Sequence, residues 1–591
     1  MIRKYIKRLR PRRSGGAFSA KLRNINRTLL VFALCGAIWQ SGYAADVPVI
    51  SNDPTRAQQY RSLPQDDAEQ RQAPGFVLPV VPEQGELVRQ GGNVELKRVV
   101  FEGNTVFSAE ELDGLSSEFL NRKLAAADLE TLRRKVSQYY IDHGYVNSGA
   151  VLVSQSLAEG ILRLKIIEGR LVEVRQAGLE RLPEDYLRDR LIAGSGEPLN
   201  AANLQDSYRQ LLADPLIQQL NGRLLPGSRP GEAVLDLQVT RGRPYQLYLG
   251  ADDYQTPSVG AYTGRIGGWV DNLLTFGERI DAHFIANGGA LGYNTGISVP
   301  VTAHDTRVSF RYSDTSSTIV EAPLDTLNIT NRIVGFDGGI SHPIYRTFAD
   351  DVTLGLNFVV RQNRTQLAGE CLPVSGLGIA GCETQASVLR MTQRFSHRGE
   401  QRSLVFWSTF NDGLDLFGAT TNQPGLQSGE FFSWLGQSLF SEKLLDNGTA
   451  LTIKASIQLA DSPLLNLERY ALGGAYTVRG YRENTYVRDN GFNTSVEIKY
   501  PLYGGNDGEK NSLYLVPFLD YGGVWDNATA VTAKQPTHYL YSTGIGLNWQ
   551  YKQLSAEFYW AHAFTPPQSR VLTSRSIQDD GIHFRVNLNL F

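Results

Sequence analysis

The amino-acid sequence predicts a membrane β-barrel of about sixteen antiparallel strands, preceded by two α+β modules of β-α-α-β-β order and an export signal. Three observations carry this prediction. From Pro244 to Phe591 the chain falls into segments of about ten residues with period-two hydrophobicity, the pattern of an outer-membrane barrel. Between Val94 and Arg243 one succession of strand and helix patterns occurs twice, at a period of about 75 residues. After the N-terminal region no apolar run reaches the roughly 18 residues that a membrane helix needs, so a chain that spans a membrane must close a barrel, the other way to satisfy every backbone group in lipid.

Composition agrees with this class. Gly 58, Tyr 27 and Phe 25 against Met 2 and Cys 3 favour strands and turns. A net charge of -2 argues against a nucleic-acid partner, which would need a basic face. No His-Glu-x-x-His, Gly-x-Ser-x-Gly or Gly-x-x-x-x-Gly-Lys-Ser/Thr motif occurs, so neither an enzyme nor a nucleotide-driven machine is expected, and no cofactor.

Residues 1–45 read as a signal peptide. Met1 to Arg27 is basic, Thr28 to Trp39 is apolar, and Gly42-Tyr43-Ala44-Ala45 offers cleavage after Ala44 or Ala45. Cys35 is not a lipoprotein site, because Leu34 stands where a small residue is wanted. The mature chain then keeps Cys371 and Cys382, with ten residues between them in a loop containing Gly and Pro. In an exported protein this pair reads as a local disulfide, and without Cys-x-x-Cys or clustered His it is no metal site. Residues 46–93 are polar and rich in Pro and Gln, a linker; Pro54 to Gln72 is compatible with a helix interrupted at Pro64 and equally with an unordered segment.

The first module is expected over 94–170. Val94 to Phe101 alternates as a strand, Ser108 with Glu111 forms a capping box, and Asp128 opens a second helix striped by Leu129, Leu132, Val136, Tyr139 and Tyr140. Ala150 to Val153 and Ile161 to Ile167 complete it. The order repeats over 171–243: Leu171 to Gln176 is a strand, Pro183 sits in the first turn of a helix, Leu204, Tyr208 and Leu211 stripe the next, and Ile217 to Leu225 and Ala233 to Val239 are strands.

In the barrel, 244–591, Val308, Phe310 and Tyr312 alternate with Arg307, Ser309 and Arg311, and Val496, Ile498 and Tyr500 with Ser495, Glu497 and Lys499. One face suits lipid and the other a wet lumen. Strands begin near Pro244, Val259, Glu278 and Leu291 and run on to His538, Leu554 and Gly581, an even count that leaves both ends on one side of the membrane. Connections should then alternate long outside and short inside, which places the cysteine loop and the long connection 461–490 outside. Phe591 follows Leu590 and so lies off the apolar alternation of the last strand.

Two stretches stand apart. Leu472 to Arg482 is Gly-rich and carries Val478-Arg479-Gly480-Tyr481; some forty residues later comes Phe518-Leu519-Asp520-Tyr521-Gly522, on which Phe518 and Asp520 share a strand face. Together they resemble the paired signature of the TpsB transporters of two-partner (type Vb) secretion, barrels of the BamA superfamily that export one large partner protein. The resemblance implies that loop 461–490 folds into the barrel, that Arg479 meets Asp520 on the inner wall, and that Val478, Gly480, Tyr481, Phe518 and Gly522 shape this gating lock. A unit pair about 4 Å apart is worth roughly 4 kcal/mol at an effective dielectric near 20, before desolvation. It also implies that the repeated modules are periplasmic POTRA domains, that 54–72 is placed to plug the pore, that a TpsA-type exoprotein such as a haemolysin or adhesin is the partner, and that outer-membrane lipid and the barrel-assembly machinery are met during biogenesis. A BamA-like insertion factor shares the Arg and Asp; two modules, not five, favour the secretion reading. A porin would lack the modules, and a plugged nutrient receptor would need more than 46–93 for its plug.

Overall fold

The computed structural model describes residues 94–590 except 180, 213, 215, 348, 372–381, 423–425, 505–510, 528–535 and 566–573. The expected signal peptide, linker, plug helix and terminal Phe591 lie outside the described residues.

The first module runs β1 (Val94–Leu96), β2 (Arg98–Glu102), α1 (Ala109–Ser116), β3 (Arg122–Leu124), α2 (Ala126–Asp142), β4 (Gly149–Leu152) and β5 (Ile161–Ile167). The second runs β6 (Arg170–Ala177), α3 (Asp185–Ser195), α4 (Ala201–Leu212), β7 (Ile217–Pro226) and β8 (Glu232–Arg241). In each sheet the last strand lies in the middle, parallel to the first and antiparallel to the other, in the orders β2-β5-β4 and β6-β8-β7. The expected stripes Leu129, Leu132, Val136, Tyr140 and Leu204, Tyr208, Leu211 are buried against these sheets.

The structure corrects three local expectations. The alternating run from Val94 breaks at Lys97, because Lys97 and Arg98 both donate their N–H to Gly160 O; β1 leaves the three-stranded sheet and pairs with the unexpected β3. Asp128 does not open α2 but stands in its first turn, accepting the Ala125 N–H at 2.8 Å through Oδ2. Pro183 precedes α3, and its carbonyl accepts the Tyr186 N–H. The Ser108 and Glu111 capping box is present.

Glu168 ties the first module together at its exit. Its carboxylate accepts Thr105 N at 2.7 Å, Val106 N at 3.0 Å, Tyr140 Oη at 3.1 Å and the Thr105 hydroxyl. Burial pushes this carboxyl up, but those hydrogen bonds outweigh it and hold it below the usual carboxylate range.

The second module feeds directly into a closed antiparallel barrel of sixteen strands. They are β9 (Tyr245–Asp252), β10 (Thr263–Asp271), β11 (Arg279–Ala286), β12 (Ala290–Pro300), β13 (Arg307–Thr318), β14 (Ile329–Arg346) and β15 (Asp350–Leu367). After the two-residue β16 (Glu370–Cys371), which only extends an outer hairpin, come β17 (Glu383–Arg398), β18 (Arg402–Gly413), β19 (Phe432–Lys443) and β20 (Ala450–Ala460). The short hairpin β21 (Tyr470–Leu472) and β22 (Tyr486–Arg488) forms its own two-stranded sheet and adds no strand to the wall, which resumes with β23 (Asn490–Tyr503), β24 (Asn511–Trp525), β25 (His538–Tyr551), β26 (Leu554–Ala563) and β27 (Ile582–Asn589). β27 closes on β9.

Strand β10 begins at Thr263, not near Val259, which lies in a 3₁₀ turn over Pro257–Val259. The connections 272–278, 301–306, 347–349, 399–401, 444–449 and 552–553 are short and share the end where the modules enter. Those at the other end are mostly longer, including the cysteine connection and 461–489. One outer connection, 287–289, departs from this rule: Asn287 Oδ1 accepts the N–H groups of Gly289 and Ala290 and turns the chain in three residues. Cys371 and Cys382 form a disulfide with Cα atoms 5.0 Å apart.

Outward-facing side chains mark the membrane. Along β25, Tyr539 and Tyr541, then Ile545 and Leu547, then Trp549 and Tyr551 are exposed. The eight residue steps from Tyr541 to Trp549 rise roughly 26 Å along a strand, about 20 Å along the normal once tilt is allowed for. An aliphatic band between two aromatic girdles is what a bilayer selects.

Candidate functional site

The inner wall near β23 to β27 is crossed by the connection 461–489. Its ends are drawn together by the β21–β22 pairing, and it anchors itself by burying Tyr470, Leu472, Val478 and Tyr481 with Val524 and Leu540 of the wall. Gly522 on β24 permits this approach, since a Cβ there would stand 2.6 Å from Leu472 Cδ1 and 2.8 Å from Phe492 O.

At the tip, Arg479 is only 4% exposed and Asp520 3%. The carboxylate of Asp520 accepts three donors from one residue: Arg479 N at 3.0 Å and Nε at 2.7 Å on Oδ2, and Nη2 at 2.7 Å on Oδ1. This bidentate fork with a backbone donor fixes both the position and the direction of the guanidinium. Nη2 also donates to Ser495 Oγ at 2.8 Å, and Nη1 pairs with Glu497 Oε1 at 2.8 Å. Glu497 in turn takes Lys454 Nζ at 3.0 and 3.1 Å. Buried Asp520, Arg479 and Glu497, followed by the partly exposed Lys454, therefore form a chain of alternating charge. The guanidinium carbon lies 3.5 Å from the Phe518 ring centroid and 4.9 Å from that of Tyr559, a desolvated cation–π contact.

Gly480 follows with φ +91°, a backbone state that disfavours a side chain, and its N–H donates to His583 Nε2 at 3.3 Å. Tyr481 Oη donates to Tyr541 O at 3.0 Å and accepts Thr565 N at 3.0 Å. Each of the seven residues named from the sequence as a lock is thus in this cluster.

Residues outside that set complete it. Ser495 and Glu497 of β23 face Asp520 and Phe518 of β24 in register. Their alternation on the polar face was visible in the sequence, but not which strand lay opposite. Arg482, three residues beyond Arg479, grips the outer end: Nε and Nη2 donate to the two oxygens of Asp579 at 2.6 and 2.7 Å, and Nη1 to Glu321 Oε1 at 2.7 Å. Gln578 Oε1 accepts the Glu483 N–H at 3.0 Å. Glu321 and Asp579 lie 161 and 97 residues from Arg482, beyond any local signal. Chemically the site is two clusters of ion pairs, one on the wall around Arg479 and one at the outer rim around Arg482. Among the described residues no group of side chains fit to hold a metal occurs.

Comparison with known proteins agrees with this architecture. Residues 94–169 match the family model for a POTRA domain of the ShlB type, and residues 231–549 match that for the haemolysin secretion/activation protein ShlB/FhaC/HecB. The outer membrane transporter CdiB of Escherichia coli O6:K15:H31 is 24% identical over 533 residues, covering 84% of this chain and 85% of that one. The heme/hemopexin transporter protein HuxB of Haemophilus influenzae Rd is 22% identical over 464 residues, 73% of this chain and 76% of that one. The solved structure of CdiB from Escherichia coli superposes with a TM-score of 0.68 at 21% identity, over 91% of this chain and 98% of that chain. With the family model spanning more than half of the sequence and the barrel closed as described, the chain belongs to the ShlB/FhaC/HecB haemolysin secretion/activation family of TpsB outer-membrane transporters.

Proposed function

We propose that this transporter secretes one large TpsA-type exoprotein, which its two periplasmic modules at 94–170 and 171–243 receive unfolded. Each module offers an edge strand beside a helix, β4 beside α2 and β7 beside α4, where an extended chain adds a strand through main-chain hydrogen bonds that are largely indifferent to sequence. The cargo then passes through the barrel and folds outside. Folding of a domain is worth about 5–15 kcal/mol, enough to bias transit without nucleotide hydrolysis.

The observation that carries this reading is the pairing of two modules with a barrel in which the buried clasp of Arg479 on Asp520 holds a long outer connection against the inner wall. A permanent filler would need no charged fastener, since apolar packing of the same volume is as stable or more so. The charged pair suits a segment that must detach and return. Expulsion of any plug formed by 54–72 would accompany release.

The test is secretion from cells that carry the gene with its neighbouring reading frame. Loss of this chain should remove one large exoprotein from the medium and leave the levels of other outer-membrane barrels unchanged. A general fall in those barrels would replace the secretion reading with that of an insertion factor.

A further inference from the structure

The periplasmic connection 272–278 is built unlike an ordinary water-facing turn. Two of its polar side chains point inward and take up the turn's own N–H groups: Glu278, fully buried, accepts Leu274 N at 2.5 Å and Phe276 N at 3.0 Å, and Asn272, also fully buried, accepts Gly277 N at 2.9 Å through Oδ1, while Thr275 is exposed. Its apolar groups point outward, with Leu273 48%, Leu274 51% and Phe276 62% exposed. The backbone is forced into positive φ at Asn272, at β-branched Thr275 (φ +72°) and at Gly277 to make this possible. A turn that takes up three of its N–H groups on its own buried side chains and displays three large apolar side chains matches an apolar neighbour better than water.

The neighbour is indicated by what the turn continues. It joins β10 to β11, where Val270, Ile266 and Phe284 are exposed on the barrel's lipid-facing surface, and beside it β9 carries exposed Tyr245. The apolar band of the wall therefore runs on into the turn. We propose that connection 272–278 inserts Leu273, Leu274 and Phe276 into the interfacial region of the inner leaflet of the outer membrane. The same turn is fastened to the second module. Asn272 Nδ2 donates to Arg181 O at 3.0 Å, Arg181 Nη2 donates to Leu273 O at 3.0 Å, and the Tyr186 ring packs on Gly277, 2.5 Å from where a Cβ would stand. Insertion consequently tethers the module next to the pore to the membrane surface, so that it does not swing freely below the barrel. This proposal is independent of how the lock works.

The test uses the full-length transporter in the Cys35→Ser, Cys371→Ser, Cys382→Ser background, with Leu274→Cys or Phe276→Cys labelled by an environment-sensitive fluorophore and reconstituted in phosphatidylcholine vesicles. Glu400→Cys, on the exposed turn 399–401 at the same end, serves as the water-facing control. Heat-modifiable gel mobility establishes that each barrel has folded. Labels at 274 and 276 should be quenched severalfold more by lipids brominated on their acyl chains than the label at 400, and several times less by aqueous iodide. Iodide quenching at 274 and 276 equal to that at 400 would overturn the proposal. Protection from iodide without bromolipid quenching would overturn it too, since that marks a protein occupant.

Discussion

Removing Asp520 should loosen the infolded segment by an amount the geometry allows to be worked out. The Asp520→Ala change deletes three hydrogen bonds from Arg479 and one of its two carboxylate partners. Stranding one member of a buried pair costs about 3–5 kcal/mol. Glu497, still 2.8 Å from Nη1, offsets part of this, so the expected loss is near ~3 kcal/mol, about a hundredfold in the ratio of closed to open states. Arg479→Ala should cost more, toward ~5 kcal/mol, because it leaves Asp520 and Glu497 confronting each other inside the wall with Lys454 beside Glu497 alone. The double variant removes one charge of each sign and leaves the Lys454 and Glu497 pair intact. Its effect should fall short of the sum of the single effects by about 1–3 kcal/mol. Open probability in planar bilayers, read alongside heat-modifiable mobility to establish a folded barrel, measures all three variants. Open probabilities equal to that of the parent, or single effects that add within about 0.5 kcal/mol, would refute a direct charge lock.

Three further outcomes follow from the geometry. Arg482→Gln frees the outer end of the same segment and strands Glu321 and Asp579; hydrogen exchange over 574–580 should quicken by roughly tenfold or more, and adding Asp579→Asn should restore part of the protection. Gly480→Ala places a Cβ 3.0 Å from Ala561 Cβ at φ +91° and should cost about 1–3 kcal/mol of closure, seen as raised conductance, whereas Gly288→Ala, with open space around it, should change nothing. In the first module, the hydrogen bonds to Glu168 hold its folded carboxyl below the unfolded value of 4.5. Its stabilising contribution is therefore complete above about pH 4.5 and fades as pH falls through the lower folded value. Proteolysis of that module in the full chain should accelerate below pH 4.5 in the parent, and Glu168→Gln should be more easily cleaved at pH 7 with a flatter acid response.

The barrel was legible because its signal is local. A strand exposed to lipid on one side and water on the other must alternate residue by residue, and runs such as Arg307 to Tyr312 and Ser495 to Tyr500 write that alternation directly into the chain. The modules were legible for the same reason, through the stripe of Leu129, Leu132, Val136 and Tyr140 and the box of Ser108 with Glu111. Boundaries were less so: nothing local in Val94 to Phe101 announces that Gly160 O will take two N–H groups and split the strand at Lys97.

The cluster around Arg479 shows the division most clearly. Sequence alone determined that Arg479 sits in a Gly-rich connection and that Phe518 and Asp520 share a strand face, since both depend on a few adjacent residues, and the parity of the strand count put that connection outside. The tertiary structure decided that Glu497 is the second carboxylate, that Tyr559 and His583 line the seat, and that Arg482 spans to Glu321 and Asp579. Those contacts depend on which strands become neighbours when the sheet closes and on where an infolded segment meets the wall. Closure brings residues 97 and 161 positions from Arg482 into the same hydrogen-bonded cluster, an effect of topology and register that no periodicity along the chain records.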